Sequence, residues 1–311
     1  MSPGRLAHTY SIVAVDPAAG EMGAAVQSHW FSVGSVVPWA EAGAGVVVTQ
    51  SFVNPSYGPR GLDMLREGMT ARQVVDALTA GDEGRDLRQV AVLDLSGAVV
   101  ARTGSGCIPE AGDLQGKGVS VQANMMLRPT VPAAMLRAFE AAEGPLAERL
   151  VAALVAAEEE GGDIRGRQSA ALLVVRTVPS GRPWQDRLVD LRVEDSSDPV
   201  GELSRLLRVH RAYEHMDRGD VAMERGDHQT ALEAYSAAER LYPENEEMVF
   251  WTAVSLANQG RLEDALPRFS RTFQRNDQWR TMTARLADKG QLRLDDRALQ
   301  RVLSLGRPPA P

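Results

Sequence analysis

The chain has 311 residues, which is long enough for two domains. Of these residues 44% are hydrophobic and 24% are charged, a composition typical of a globular protein. The net charge of −7 leaves no basic platform of the kind that nucleic-acid binding requires. No apolar run reaches the roughly 18 residues of a membrane span, and the N-terminal residues lack a secretory signal pattern. A single cysteine, Cys107, excludes an internal disulfide framework and fits a reducing compartment. We therefore expect a cytoplasmic protein that binds neither nucleic acid nor membrane.

The first region is predicted to begin with a β-hairpin. Residues 9–15 and 22–28 are rich in β-forming residues and are joined by the turn DPAAGE, in which Pro presets φ and Gly tolerates positive φ. A third strand is predicted over 45–51. The loop NPSYGPRG then leads into a helix near 58–67, and Thr70 is a good N-cap for a second helix.

The middle of the chain repeats this alternation of strand pairs and helix pairs. Further strands are predicted at 88–94, 98–103, 118–124, 168–176 and 187–194, with helices at 130–143 and 145–160. The resulting order favours antiparallel sheets covered by helices over alternating βα units, an α+β class. Strands such as IVAV and ALLVV lack polar alternation, which predicts burial on both faces, as when two sheets stack.

The last hundred residues contain a repeat of 34 residues. Gly226, Ala231, Leu232 and Tyr235 recur as Gly260, Ala265, Leu266 and Phe269, and Gly219 recurs as the small residue Ala253. The period and the small–aromatic pattern resemble tetratricopeptide repeats at about 212–245 and 246–279, followed by a capping helix or helix pair. A plain helical bundle is the alternative. We expect two domains, residues 1–200 and 201–311.

Blocks along the first region resemble a bacterial family known as domain of unknown function 1028. They include TYSIVAVDPAAGEMGAAVQS, VGSVVPWAEAGAGVVVTQSFVNPSYGPRGLDML, TGSGC and GGDIRGRQSAALLVV, in the same order as in the family. The resemblance implies a fold similar to N-terminal-nucleophile (Ntn) hydrolases, a four-layer αββα sandwich. It brings no established activity, and fold likeness alone is weak evidence for function.

Thr9 is the candidate nucleophile that this resemblance implies. Ntn hydrolases use the side chain of their first mature residue as nucleophile and its freed α-amino group, with a pKa near ~8, as base. In this chain that requires cleavage between His8 and Thr9, or a later start. The alternative is that Thr9 is an ordinary strand residue. No lysine precedes Lys117, so an arginine or an amide would supply the electrostatic stabilisation.

Amides and hydroxyls at strand ends form the rest of the predicted site. Neutral donors of this kind suit oxyanion stabilisation, for which Asn54, Gln122 and Asn124 are the candidates beside Thr9. Substrate contacts are predicted from residues that follow buried strands or line the NPSYGPR loop: Gln27, Ser28, His29, Gln50, Ser56, Tyr57 and Arg60. Satisfied core amides are the alternative interpretation.

The segment GGDIRGRQS is the densest polar stretch of the first region. Its glycines allow a tight backbone turn, and Asp163 can pair with Arg165 or Arg167, so these three residues, with Gln168 and Ser169, are candidate substrate contacts. The alternative is that the Asp–Arg pair only closes the turn between helix and strand. The two interpretations are equally supported by the sequence.

Other chemistries find little support. A lone cysteine is usually a small buried hydrophobe, and the histidines lack ligand spacing, so we expect no metal and no cofactor. The leading hypothesis is an Ntn-hydrolase-like amidohydrolase acting on a small amide, with repeats that bind a protein partner. The second hypothesis is a non-catalytic ligand-binding or assembly protein that acts through the repeats. A homodimer is a further expectation.

Overall fold

The computed structural model describes residues 5–7 and 9–306, with side chains described from Thr9 onward. His8, at the predicted cleavage point, lies outside the described residues. The chain divides into two compact units, Met1–Leu207 and Arg208–Pro311. Among the described helices, none has the length and apolar character needed to cross a bilayer.

The first unit contains two antiparallel sheets. Sheet A comprises β1 (Arg5–Ala7), β4 (Pro38–Glu41), β5 (Gly45–Val53), β6 (Arg88–Asp94) and β7 (Val99–Thr103). Its order is β1-β5-β6-β7, and β4 also pairs with β5. Sheet B comprises β2 (Thr9–Asp16), β3 (Glu21–Ser28), β8 (Gly112–Gly116), β9 (Val119–Ala123), β10 (Ser169–Arg176) and β11 (Arg187–Val193). Its order is β11-β10-β3-β2-β9-β8, so β2 is a central strand.

Two helix pairs cover the outer faces of the sheets. Helices α1 (Tyr57–Arg66) and α2 (Ala71–Ala80) share a core with β5 and β6, and helices α3 (Val131–Ala141) and α4 (Leu146–Glu159) share one with sheet B. A third apolar core, which includes Val13, Val48 and Leu173, lies between the sheets. The predicted αββα sandwich is therefore confirmed.

Alternation along the strands places the polar side chains. In β2, Tyr10 and Ile12 belong to the core beneath α3 and α4, whereas Val13 belongs to the core between the sheets. Because successive side chains point to opposite faces, Thr9 and Ser11 face the other sheet.

Three short strands are absent from the sequence prediction. β1 has only three residues, β4 (PWAE) begins with proline, and β8 (GDLQG) is mostly polar and only partly buried. None offers the apolar alternation that identifies a strand in sequence. The predicted helix after Thr70 is present, and the Thr70 side chain forms a capping box with Gln73.

The second unit is entirely helical in its described residues. The boundary between the units lies within α5 (Pro199–Glu224). The remaining helices are α6 (His228–Leu241), α7 (Glu246–Asn258), α8 (Leu262–Arg275), α9 (Gln278–Asp288) and α10 (Asp296–Leu303).

Small residues allow these helices to approach closely, as the repeat predicts. A Cβ added at Gly219 would lie 2.3 Å from the ring of Tyr235, which is buried. Phe269, the counterpart of Tyr235 in the second repeat, is buried together with Ala253. The two helices α9 and α10 lie where a capping pair is predicted, and Leu286 and Val302 extend the same core.

Candidate functional site

A cluster of carboxamides lies between the two sheets at the end where β2 begins. We call Gln50, Gln89, Gln122 and Asn124 the amide cluster; all four are fully buried. The strands β5 and β6 are otherwise apolar on this face, whereas in β9 Ser120 donates to Gln122 Oε1 at 2.9 Å. Asn124 follows β9, and Ser11 of β2 joins the cluster through its hydroxyl. An apolar core therefore gives way to a polar layer at one end of the sandwich.

The amide cluster is hydrogen-bonded across both sheets. Gln89 Oε1 accepts from Gln50 Nε2 at 2.7 Å and from Asn124 Nδ2 at 2.9 Å. The Ser11 hydroxyl donates to Gln50 Oε1 at 2.6 Å and accepts from Gln122 Nε2 at 3.0 Å. These contacts join residues far apart in sequence, so they fix the relative position of the strand ends.

The amide nitrogen of Gln89 is connected through Thr103 to the carboxylate of Asp113. Gln89 Nε2 donates to Thr103 Oγ1 at 2.8 Å and to the carbonyl of Ala123 at 3.0 Å. Thr103 Oγ1 in turn donates to Asp113 Oδ1 at 2.6 Å. This chain fixes the Gln89 amide so that its oxygen faces the two donors from Gln50 and Asn124.

Thr9 opens β2 beside the amide cluster and is 0% exposed. Its carbonyl accepts from Asn124 N at 3.1 Å, from Asn124 Nδ2 at 3.2 Å and from Gln50 Nε2 at 3.2 Å. Across the sheet, Thr9 is paired with Ser28, and Ser28 with Ser169, which forms a row of three hydroxyl residues. The structure thus brings Thr9, Gln50, Gln122 and Asn124 together, and Ser28 and Ser169 extend the row.

Asn54 belongs to a second cluster, built around Asp82. Asp82 Oδ2 accepts from Arg88 Nε at 3.0 Å, from the Tyr57 hydroxyl at 2.7 Å and from Asn54 Nδ2 at 3.4 Å. Burial alone would raise the pKa of Asp82, but the hydrogen bonds from Arg88 and Tyr57 lower it overall. Burial and the bond to Asp82 raise the pKa of Tyr57. Arg88 also donates to the carbonyl of Phe52, so this cluster fixes the end of β5.

The glycine-rich loop before β10 is closed mainly by its own residues. Arg165 forms a bidentate pair with Asp163, at 3.0 Å from Nε and 2.7 Å from Nη2. Asp163 also accepts from the backbone N–H of His29 at 3.3 Å. Arg167 pairs instead with Glu158, which accepts from the Tyr10 hydroxyl as well. The Asp163–Arg165 pair thus closes the turn between α4 and β10, and substrate contacts by these residues stay a prediction.

The other predicted contact residues lie apart from the amide cluster. Gln27 is fully buried on the face of β3 that points away from the other sheet. Neither of its amide atoms has a hydrogen-bond partner among the described residues. Ser56 and Arg60 are exposed near the start of α1, and Ser56 is bonded to Asn54. Gln168 donates to Asp195 at the surface at 3.1 Å.

Cys107 is buried, as a lone cysteine in this sequence predicts. Its Sγ lies 3.4 Å from the carbonyl of Arg88. Burial raises the pKa of the Cys107 thiol, which disfavours the thiolate that a nucleophile requires.

Sequence reasoning missed the residue at the centre of the cluster, Gln89. In RQVAVLD, Gln89 lies on the same face of the strand as Ala91 and Leu93, which are both buried between the sheets. The alternation along β6 therefore predicts that Gln89 also faces the other sheet. Thr103 and Asp113 were missed because their strands are short and β8 was not predicted. The Asp82–Arg88 pair joins a loop to a strand six residues later, and no motif marks it.

The second unit has a cavity between α7 and α9. It measures about 470 Å³ and is lined by Trp251, Trp279 and Met282 together with the charged residues Glu247 and Arg285. The Trp279 indole donates to Glu246 at 3.1 Å, which holds one aromatic wall in place. Aromatic surface with charges of both signs is suited to binding a polypeptide segment.

Comparisons with known proteins agree with this architecture. A model for a family of unknown function, DUF1028, matches residues 9–203, and a tetratricopeptide repeat model matches residues 216–277. The structure is similar to a crystal structure of a protein from Silicibacter pomeroyi, which carries the same DUF1028 model. The two are 33% identical, with 65% of this chain and 85% of that chain covered and a TM-score of 0.59. A search of curated proteins gives no match. The chain therefore belongs to the DUF1028 family of unknown function and carries tetratricopeptide repeats after the family's domain.

Proposed function

We propose that the first unit is an Ntn-type amidohydrolase with Thr9 as its nucleophile. The observation that carries this proposal is the position of Thr9, at the start of a central strand and against a buried carboxamide cluster. Buried amides are costly unless they are fully bonded, so a core built for stability alone is better served by apolar side chains. The match to the DUF1028 model also begins at residue 9, the residue at which the proposed mature chain would start.

Maturation is the first chemical step of the proposal. The Thr9 hydroxyl attacks the carbonyl carbon that precedes it, forming a C–O bond as the C–N bond to Thr9 breaks. The hydroxyl proton passes to the departing nitrogen, and water then hydrolyses the ester. The products are a released leader and a chain that begins with a free α-amino group at Thr9.

The same residue then acts on substrate. The α-amino group accepts the hydroxyl proton as Oγ attacks the amide carbon of the substrate, and the proton is passed to the leaving amine. Water hydrolyses the acyl-enzyme ester and restores Thr9. Since only the neutral amine is a base, hydrolysis should rise with pH up to about 8, the ordinary pKa of an α-amino group.

The amide cluster positions Thr9 for this chemistry. Gln50 and Asn124 each direct one bond to Gln89 Oε1 and another to the Thr9 carbonyl, which fixes the first residue of β2. Gln122 donates one of its two amide N–H groups to Ser11 and is the neutral donor that supplies the proposed oxyanion stabilisation. Asn124 positions Thr9 instead, because its two N–H groups bond to Gln89 and to the Thr9 carbonyl. Asn54 is not included in this assignment, because its amide donates to Asp82.

The repeat unit is proposed to bind a protein partner through the cavity between α7 and α9. Trp251 and Trp279 offer the aromatic surface on which polypeptide binding usually depends. In the full chain, Trp279→Ala should weaken partner binding while hydrolysis by the first unit remains unchanged.

Intact-mass spectrometry of the purified full chain tests the hydrolase proposal. We expect a chain that begins at Thr9, and we expect Thr9→Val to retain the preceding residues and to lose activity toward a panel of amides. Thr79→Val is the matched control, since Thr79 is also buried but bonds only within α2. Wild-type protein that keeps the residues before Thr9 and hydrolyses no amide would instead support the non-catalytic assembly role.

A further inference from the structure

The strand that precedes Thr9 covers part of one edge of β5. β4 pairs with β5 over Gly45–Val48, and β1 continues along the same strand, opposite Ser51–Val53. Within the described residues β1 is only three residues long, and its sole strand partner is β5. Without β1, the backbone groups of Ser51–Val53 on this side would lack a strand partner.

The Ser51–Val53 edge of β5 is also stabilised by residues on the side opposite β1. Ser51 has a φ of 69°, a left-handed conformation that costs free energy in a residue other than glycine. Arg88 donates to the carbonyl of Phe52, and Asp82 holds Arg88 in place at 3.0 Å. The edge is therefore preorganised by contacts that do not involve β1.

The path of β1 leads directly to the candidate nucleophile. Ala7 pairs with Ser51 of sheet A, and only two residues later Thr9 begins β2 in sheet B. An extended chain that takes the place of β1 therefore directs its following peptide bonds toward the Thr9 position. Its side chains would alternate between the two sides of the strand.

We infer that the Ser51–Val53 edge is a binding site for an extended peptide, added antiparallel to β5 in the place of β1. The assignment of this peptide as the acyl part of the substrate rests on the function proposed above; its binding to the edge does not. The substrate class is then a peptide with several residues before the cleaved bond, bound mainly through its backbone. β1 is the occupant that the chain supplies itself, and it blocks the edge until it is displaced.

The test uses the full chain with β1 weakened through its backbone. Adjacent amides of a strand point in opposite directions, so the double variant Arg5→Pro/Leu6→Pro removes at least one N–H that faces β5. The matched control, Arg5→Ala/Leu6→Ala, keeps both amides. The probe is an acetylated, amidated peptide with the sequence of residues 2–8, and both variants carry Thr9→Ala so that the leader stays attached.

We expect hydrogen exchange at Ser51–Val53 to be at least about tenfold faster in the proline variant than in the alanine control. The probe should bind the proline variant at least about tenfold more tightly than the control and restore the protection. N-methylation of the probe should weaken binding only at alternate residues, because alternate amides face β5. If the double variant does not fold, the single variants decide, since only one of them should accelerate exchange.

The outcomes separate this inference from the hydrolase proposal. Equal exchange in the two variants, or a probe that fails to protect Ser51–Val53, overturns the edge site even where wild-type protein hydrolyses amides. Probe binding with the alternating pattern supports the edge site even where wild-type protein keeps its leader and hydrolyses nothing. In that second case the hydrolase proposal fails and the peptide site remains.

Discussion

The two units satisfy their buried polar groups in different ways. In the repeat unit, Thr252, Thr272 and Thr283 each donate to the carbonyl four residues earlier in the same helix, at 2.9, 2.8 and 2.8 Å. In the first unit, Gln89 binds Gln50 and Asn124, which are 39 and 35 residues away. Local bonds require only that a helix form, whereas the amide cluster requires the correct arrangement of both sheets.

This difference predicts which kinds of substitution will affect each unit. In the repeat unit the three buried threonines bond within their own helices, and buried Arg280 donates to the carbonyl of Leu303. The first unit maintains a long-range polar layer in a position where apolar residues would serve stability as well. We therefore expect the first unit to be sensitive to single changes of buried polar residues, and the repeat unit to be sensitive to changes in helix packing.

The largest effect is expected for Arg88→Met. The substitution leaves Asp82 without the cation that holds it, and the two side chains are only 15% and 13% exposed. Loss of one partner of a buried pair costs about 3–5 kcal/mol, which chemical denaturation of the first unit should detect. The control is Arg301→Met, in the exposed Arg301–Glu263 pair of the repeat unit, which should leave unfolding unchanged. Equal effects in both variants would remove the contrast between the units.

A somewhat smaller loss is expected for Gln89→Leu. The leucine fills a similar volume, but it leaves the second N–H groups of Gln50 and Asn124 without their shared acceptor. Buried groups left unbonded cost about 1–3 kcal/mol, and we expect a loss of about 2–3 kcal/mol by the same measurement. Gln274→Leu on α8 is the control, because Gln274 is exposed and bonds only to Ser270 of the same helix. A stabilising Gln89→Leu would show that the cluster does not support the fold.

Helix packing in the repeat unit is tested by Gly219→Ala. The new methyl would lie 2.3 Å from the Tyr235 ring, so the buried ring must move, at a cost of about 1–3 kcal/mol. Alanine regains about 1 kcal/mol of helix propensity, which leaves a net loss of about 1 kcal/mol. In a Tyr235→Leu background the same substitution should be neutral or stabilising. Thermal unfolding of the four members of this double-mutant cycle gives the coupling directly, and additive effects would contradict the predicted contact.

The sequence predicted the repeat unit better than the candidate site, for a physical reason. The pattern from Gly219 to Phe269 encodes contacts between neighbouring helices, so the period alone reveals them. In the first unit, strand alternation placed Thr9, Gln122 and Asn124 at strand ends, but which ends meet depends on how the sheets stack. Gln89 and the Asp82–Arg88 pair become significant only through that stacking, and a single sequence does not encode it in any local pattern.

The smallest effect is expected in how the free energy of unfolding depends on pH under acid conditions. The pKa of Asp82 in the folded protein lies below its unfolded value of about 3.9, so its ionised form stabilises the fold above that pH. This contribution is lost progressively as the pH falls below about 4 toward the lowered folded value. Asp82→Asn removes the titrating group, so its free energy of unfolding should fall less steeply than that of the wild type between about pH 5 and pH 2. Denaturation of both proteins across this range measures the difference in slope. Parallel curves would mean that Asp82 has the same pKa in the folded and unfolded chains. The negative charge of Asp82 would then not stabilise the cluster that it forms with Arg88, Tyr57 and Asn54.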